Sequence, residues 1–452
     1  MGDYTGTKFT AIYVSDVATG QRKRLTPPCA ECVYQIGGWS PDGKQLSITS
    51  NALNGYNNVA LLGVDDGQLQ WLTRQDWDAL AGGFSPDGQF VALTINEDGS
   101  GDGYLYDLRS KKLDKLPLPP GVNDLPGSKW TDVTASAFSP DGEYLMFYHN
   151  GPQSPENVWV YDLEHQRASQ LTYSLVGAVR SEDMVEPTLV HFPSADGKWK
   201  LSAYVYVPHN LQRDRTHPAI VYVHGGPNYQ YRNQFGRTVQ YLVNQGYVLI
   251  VPNYRGSTGY GSRFHDANRF DLGGGDLRDV VSAAQWISQT GYVNPKKLVL
   301  MGGSYGGYLT MMGLTKYPNL WAAGVAEVPF VNWFSFKKGT DPAIWEYFAL
   351  KMGDPVRNRN LWSDRSPINF LSRMKAPLLL ISGGKDPRAP VGELRQVVAA
   401  GRKLRLPIEW KVYENEGHQT TRVENVVDTY TRIAAFIKRY SPSPSSQSAS
   451  AR

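Results

Sequence analysis

Hydrophobic and polar positions follow two different patterns along this chain. In the second half, short unbroken apolar runs stand at Ala219-Ile220-Val221-Tyr222-Val223, Leu298-Val299-Leu300-Met301 and Ala376-Pro377-Leu378-Leu379-Leu380-Ile381, with a strand-like Ile408-Glu409-Trp410-Lys411-Val412-Tyr413 after them. Runs of this length without alternation predict strands buried on both faces, as in a parallel sheet covered by helices. Tyr308 to Tyr317 reads as a helix. The first part of the chain repeats instead. Gly38-Trp39-Ser40-Pro41-Asp42-Gly43 recurs as Gly83-Phe84-Ser85-Pro86-Asp87-Gly88 and as Ala137-Phe138-Ser139-Pro140-Asp141-Gly142. Each Pro-Asp-Gly predicts a tight turn between an aromatic strand end and an alternating strand. A closing half-repeat ends at Leu25-Thr26, Leu72-Thr73, Leu116 and Leu171-Thr172. Period and strand content fit four-stranded propeller blades, about three and a half of them over residues 1–184. A first strand is expected at Phe9-Thr10-Ala11-Ile12-Tyr13-Val14.

Candidate chemistry lies in the second pattern. Gly302-Gly303-Ser304-Tyr305-Gly306 follows one apolar run and opens the helix, and a serine between glycines on a strand-turn-helix is a nucleophile elbow. A serine hydroxyl needs a base, and the base an orienting acid, in the order Ser, Asp or Glu, His. Of eight histidines only His418 follows Ser304, in the loop Glu414-Asn415-Glu416-Gly417-His418. Among the ten carboxylates between them, Asp386 is selected by position. It stands just beyond an apolar strand and two glycines, where functional groups of such sheets gather. Glu414 and Glu416 read as solvated loop charges. Oxyanion donors are expected at the N–H of Tyr305 and, in His224-Gly225-Gly226-Pro227, at the N–H of Gly226. His224 is expected to brace that loop, and Tyr254 and Arg255 to pack.

Over Val185 to Tyr440 these motifs resemble the catalytic domain of the prolyl oligopeptidase family of serine peptidases, most of all its acylaminoacyl-peptidase branch. The resemblance rests on His224 to Pro227, Asn253-Tyr254-Arg255-Gly256-Ser257-Thr258-Gly259-Tyr260-Gly261, Gly302 to Gly307, Met352-Gly353-Asp354-Pro355 with Ser366-Pro367-Ile368, Asp386-Pro387-Arg388, and Gly417-His418. It implies an α/β hydrolase domain at 185–440, preceded by an incomplete WD40-like propeller, and a serine peptidase acting on short peptides through an acyl-enzyme. Ser304, Asp386 and His418 match the family triad, and Tyr305 and Gly226 its oxyanion positions. Arg388 matches a position that binds a substrate carbonyl. Trp333 matches one lining the first specificity pocket, in a segment that also carries Phe330, which implies a preference for apolar side chains. Family propellers usually have seven or eight blades. The ring here is therefore incomplete, completed by another chain, or closed with four blades, and open blade edges would favour homo-oligomers.

Composition changes this picture little. A net charge of +4, unclustered, does not indicate nucleic acid. No apolar run reaches the roughly 18 residues of a membrane span, and residues 1–10 hold no signal-peptide core, so a cytoplasmic location is expected. Cys29 and Cys32 read as incidental thiols, no metal or phosphate motif is evident, and no cofactor is expected. The Ser/Pro-rich 441–452 is expected to be disordered. Two rivals share the sequence evidence: a carboxylesterase on the same scaffold and a catalytically impaired propeller-bearing binding protein. Aminopeptidase, acylaminoacyl-peptidase and endopeptidase modes stay open.

Overall fold

The computed structural model describes residues 10–126, 137–175 and 177–443. The chain divides into two compact units. One comprises Met1–Met184 with Arg232–Phe235 and Thr258–Phe264; the other comprises Val185–Tyr231, Gly236–Ser257 and His265–Arg452.

The first unit is built mostly of antiparallel strands, whose turns explain the repeated sequence. In each Ser-Pro-Asp-Gly the aspartate accepts from the serine hydroxyl, as between Ser40 and Asp42 (2.7 Å) and Ser85 and Asp87 (2.6 Å). The serine Oγ in turn accepts the N–H five residues on, from Gln45, Phe90 and Tyr144. Glycine closes each turn at positive φ, between 69° and 78°, where a Cβ is disfavoured. The Leu-Thr endings have an equally local reason. The hydroxyls of Thr26, Thr73 and Thr172 accept the strand N–H groups of Ile12, Val59 and Val158, which satisfies donors that the sheet ladder leaves over.

Tyr34–Trp39, Gln45–Ser50, Asn58–Gly63 and Leu69–Trp71 form one four-stranded sheet. Asp78–Phe84, Phe90–Glu97, Ser100–Asp107 and Lys112–Lys115 form a second antiparallel group. Val122–Asp124 joins this group to Tyr144–Gly151, Ser154–Asp162 and Arg167–Gln170 in a single eight-stranded sheet. The second strand of the first group meets the first strand of the second, where Ser47 donates to Gly82 O at 2.6 Å and Ala81 N donates to Thr49 Oγ1 at 2.8 Å. The opening strand is shorter than expected, Tyr13–Ser15, paired only with Arg22–Arg24; Phe9 lies outside the described residues. The reading of Cys29 and Cys32 as incidental thiols is corrected. The intervening turn brings their Cα atoms to 5.5 Å and they form a disulfide.

The second unit is an α/β hydrolase. Its eight strands are β1 (Thr188–Pro193), β2 (Lys200–Tyr206), β3 (His217–Val223), β4 (Val248–Asn253), β5 (Val293–Gly303), β6 (Ala323–Glu327), β7 (Leu378–Gly383) and β8 (Ile408–Tyr413), in the order β1-β2-β4-β3-β5-β6-β7-β8. The ladder is antiparallel up to β2·β4 and parallel from β4·β3 onward. Helices α1 (Arg237–Asn244) and α7 (Val423–Tyr440) cover one face. Leu242, Val243, Ile433 and Phe436 are buried there against Ile220, Met301, Val325 and Ile381. On the other face lie α2 (Gly275–Ile287) and α3 (Tyr305–Lys316); Gly313 faces Leu300 and Leu314 faces Gly324, so small residues let the helix sit close to the sheet. Three further helices matter for the site: α4 (Trp333–Gly339), α5 (Pro342–Met352) and α6 (Val391–Leu404). The tail expectation is corrected at its start, since Ser441 and Ser443 are buried and donate to Lys297 O and Gly246 O. Residues 444–452 lie outside the described ones.

Tyr254 and Arg255 pack, as expected. Tyr254 is fully buried, and the Arg255 guanidinium is held by Asp279 at 2.7 Å and by Asp196 at 2.9 and 3.1 Å. The Arg255 hydrogen bonds keep the Asp196 carboxyl well below the usual carboxylate range. Removing the guanidinium strands a buried carboxylate. Arg255→Met should therefore cost roughly 3–5 kcal/mol of stability, read as a lowered urea midpoint, with Arg255→Lys in between because it cannot reproduce the fork.

Candidate active site

The nucleophile is placed by crowding. Ser304 has φ 57° and ψ −119°, between the end of β5 and the start of α3. A Cβ on Gly302 would come within 2.6 Å of Val223 O, one on Gly306 would overlap the same oxygen, and one on Gly307 would come within 2.6 Å of Glu327 O. Only glycine fits these positions, and the turn they permit lifts the Ser304 hydroxyl above the sheet. The Ser304 N–H is held by Glu327 O at 2.9 Å.

His418 reaches this hydroxyl from the loop after β8. Its Nε2 lies 3.0 Å from Ser304 Oγ and its Nδ1 lies 2.7 Å from Asp386 Oδ2. Asp386 stands three residues beyond β7 with a fully buried carboxylate. Its Oδ1 accepts the N–H groups of Arg388 (2.8 Å) and Ala389 (3.0 Å), which fix the carboxylate. The three residues singled out in the sequence are thus brought together in one hydrogen-bonded line.

The loop carrying His418 has an anchor that sequence reasoning missed. Glu416 is buried, contrary to its reading as a solvated charge, and accepts from Thr421 N and Oγ1, Arg422 N and Asn425 Nδ2 at the start of α7. These donors hold its carboxyl down at about 2, the Asn425 amide foremost. The signal was a carboxylate shortly before a helix start, where unpaired N–H groups wait. Glu414 is exposed, as expected.

One loop meets Ser304 from the other side. A Cβ on Gly225 would come within 3.3 Å of Ser304 Cβ, and Gly226 has φ 114°, a conformation suited to glycine. Asn228 ties this loop down: its amide donates to Gly256 O and His265 O, and its carbonyl accepts from the Tyr347 hydroxyl. His224 braces the loop. Its Nδ1 donates to Gly225 O at 2.7 Å, its Nε2 lies 2.9 Å from Ser257 Oγ, and its ring stacks on Tyr254. Burial pushes His224 down to about 4, so it is neutral near pH 7. Tyr305 is the first residue of α3, where an N–H has no intrahelical acceptor.

Ser304 and His418 line a cavity of about 820 Å³ that also includes Gly226, Phe330 and Arg388. Phe330 forms part of an aromatic recess with Phe336, Ile344, Tyr347 and Phe348. Trp333 is corrected: it is fully buried and does not line the cavity. Its indole N–H donates to Arg365 O at 3.0 Å, which turns the ring behind Phe330, edge-on at 4.9 Å. Glu393 on α6 accepts from Val331 N, Asn332 N and Ser335 Oγ and so fixes the segment bearing Phe330. Among the described residues, no three His, Cys, Asp or Glu side chains gather so that they could hold a metal ion.

The chain is similar to known peptidases. The sequence model of the prolyl oligopeptidase family matches residues 233–443. Dipeptidyl aminopeptidase BIII of Pseudoxanthomonas mexicana is 29% identical over 405 residues, 86% of this chain and 57% of that protein. An acylamino-acid-releasing enzyme of Arabidopsis thaliana is 29% identical over 245 residues, 52% of this chain and 32% of that protein. The chain thus spans less than two thirds of the length of these relatives. Among solved structures, a puromycin-hydrolyzing peptidase of Mycobacterium tuberculosis superposes with a TM-score of 0.84 at 22% identity, over 96% of this chain and 65% of that one. The acylaminoacyl peptidase of Pyrococcus horikoshii gives 0.75 at 20%, over 96% and 66%.

Beneath the site, the Tyr305 hydroxyl donates to the buried Asp276 at 2.5 Å, and burial pushes the Asp276 carboxyl up to about 7. The folded protein therefore keeps a proton that the unfolded chain releases near pH 4, so stability falls as pH rises from about 4 to about 7 and then levels. Asp276→Asn should flatten that fall, measured as urea midpoints at several pH values across the window.

Proposed function

With residues 233–443 forming a prolyl oligopeptidase family domain, we propose that this chain is a serine peptidase that hydrolyses short peptides through an acyl-enzyme. The observation carrying this reading is the line Asp386, His418, Ser304, with contacts of 2.7 and 3.0 Å. In the proposed reaction His418 takes the Ser304 proton as Oγ attacks the scissile carbonyl carbon, and Asp386 keeps the Nδ1 proton facing itself and stabilises the imidazolium. The N–H groups of Tyr305 and Gly226 receive the oxyanion. His418 then protonates the leaving amine. Water, deprotonated by His418, attacks the acyl carbon, and the acyl–Oγ bond breaks to restore Ser304.

The aromatic recess at Phe330, Phe336 and Phe348 supports an apolar residue on the acyl side of the bond. Arg388, exposed at the cavity, offers a fork of donors to a substrate carbonyl. The relatives named above, a dipeptidyl aminopeptidase and an acylamino-acid-releasing enzyme, support action on peptides near the amino end.

A fluorophosphonate probe should label the wild type and leave Ser304→Ala unlabelled. Peptide-amide hydrolysis by Ser304→Ala should fall by roughly 10³-fold or more. Equal labelling of both proteins would refute the assignment. Faster turnover of nitrophenyl esters, with peptide amides left intact, would point to the carboxylesterase instead. We further propose that exposed blade edges make the protein self-associate in the cytoplasm; light scattering after size exclusion should report a mass above one chain, and a monodisperse monomer would contradict it.

A further inference from the structure

The buried carboxyl groups around the site have donors; one half-buried carboxyl at the cavity has none among the described residues. Asp276 has Tyr305, Asp279 has Arg255, Asp386 has His418 and two backbone N–H groups, Glu393 has Ser335 and two more, and Glu416 has the start of α7. Glu327 lines the active-site cavity, and among the described residues no hydrogen bond or ion pair reaches its carboxyl. Burial alone acts on it and pushes it up to about 7. Neither Arg237 nor Arg388, the two cations lining the same cavity, influences it. A carboxyl partly withdrawn from water, with no donor from the protein, is a place where a donor on a ligand gains most.

Position says which ligand group arrives there. Glu327 ends β6, paired with Gly303 on β5 and with Ile381 on β7. It shares a sheet face with Ile381 and Tyr222, the face covered by α1 and α7. This part of the cavity is walled by Tyr222, by Thr238 with its hydroxyl 2.9 Å from that of Tyr430, and by Gln419 and Thr420 directly after His418. The aromatic recess is built from other segments, the stretch after β6 and helices α4 and α5. The cavity thus has an apolar part and a polar, acidic part, and Ser304 and His418 line it together with both.

We propose that Glu327 is the cation-binding residue of a leaving-side subsite and receives the ammonium or guanidinium of a lysine or arginine immediately after the scissile bond. This rests on the peptidase reading: the aromatic recess takes the acyl-side residue, and His418, whose loop walls the acidic part, hands its proton to the leaving amine. Pairing supplies the donor that Glu327 lacks and restores its ionised form.

The test uses the full chain and peptides with phenylalanine on the acyl side and lysine, arginine, norleucine or glutamate after the bond, with the cut mapped by mass spectrometry. Wild type should favour lysine and arginine over norleucine by roughly tenfold in kcat/KM, as for a charge-assisted hydrogen bond, with glutamate slowest. In Glu327→Gln the lysine-to-norleucine ratio should fall towards one, and in Glu327→Lys the order should turn towards glutamate. The wild-type ratio stands by itself if a variant does not fold. Cleavage of all four peptides at equal rates would overturn the subsite and leave the peptidase reading intact. A lysine preference that survives in Glu327→Gln would also overturn it. Failure to cut any peptide, in protein that the fluorophosphonate labels, would overturn the peptidase reading and the subsite with it.

Discussion

The site depends on one close approach, that of the Ser304 turn to the end of β3. Val223 O lies where a side chain on Gly302 or Gly306 would have to go, so the end of β5, the start of α3 and the end of β3 meet backbone to backbone. This single contact sets three things together. It forces Ser304 to φ 57°, at a cost of about 1–3 kcal/mol. It puts the first N–H groups of α3 beside the nucleophile, and it brings Gly225, two residues beyond Val223, against Ser304 Cβ. The strain is held by the burial of Leu309, Met311, Met312 and Leu314 on α3, each worth about 1.5–3 kcal/mol on transfer from water.

Around this turn one chemical group, the carboxyl, is set by the fold in four different surroundings. Two backbone N–H groups and an imidazole hold Asp386 in place. A helix start holds Glu416 ionised, where it serves the His418 loop without touching the chemistry. Asp276, fully buried with the Tyr305 hydroxyl and the Leu277 N–H as donors, retains its proton towards neutrality, and Glu327 has no donor among the described residues. Desolvation prevails at Asp276 and Glu327, and even at Glu393 with its several donors, whereas at Glu416 the donors prevail.

The line of Ser304, His418 and Asp386 was legible in the sequence because each member sits where chain order and strand ends leave few choices: one histidine after Ser304, and one aspartate just past a buried strand. The parallel sheet was legible for the same reason, since its core strands are apolar on both faces. Trp333 and Glu416 were not, because both depend on what lies across space. A carbonyl at Arg365 turns the indole away from the cavity, and a helix start buries a loop glutamate. Cys29 and Cys32 could not be paired from spacing alone, because C-x-x-C fits several geometries. Glu327 was one of ten carboxylates at the sequence level, and only the sheet register, which sets it between Gly303 and Ile381, marks it out.

The serine-aspartate-glycine turn has a wider distribution than the blade repeat that revealed it. Ser194-Ala195-Asp196-Gly197 builds it again between β1 and β2, with the serine hydroxyl on the aspartate at 2.7 Å, the Trp199 N–H on the serine and glycine at φ 67°. Here, though, the aspartate also holds Arg255, while Asp42, Asp87 and Asp141 serve their own hairpins. The turn is therefore a unit of local grammar that does not by itself denote a blade. Counting blades by this signature would add one that does not exist, and variation tolerated at three of its aspartates would at the fourth reach through Arg255 to the packing under the nucleophile's sheet.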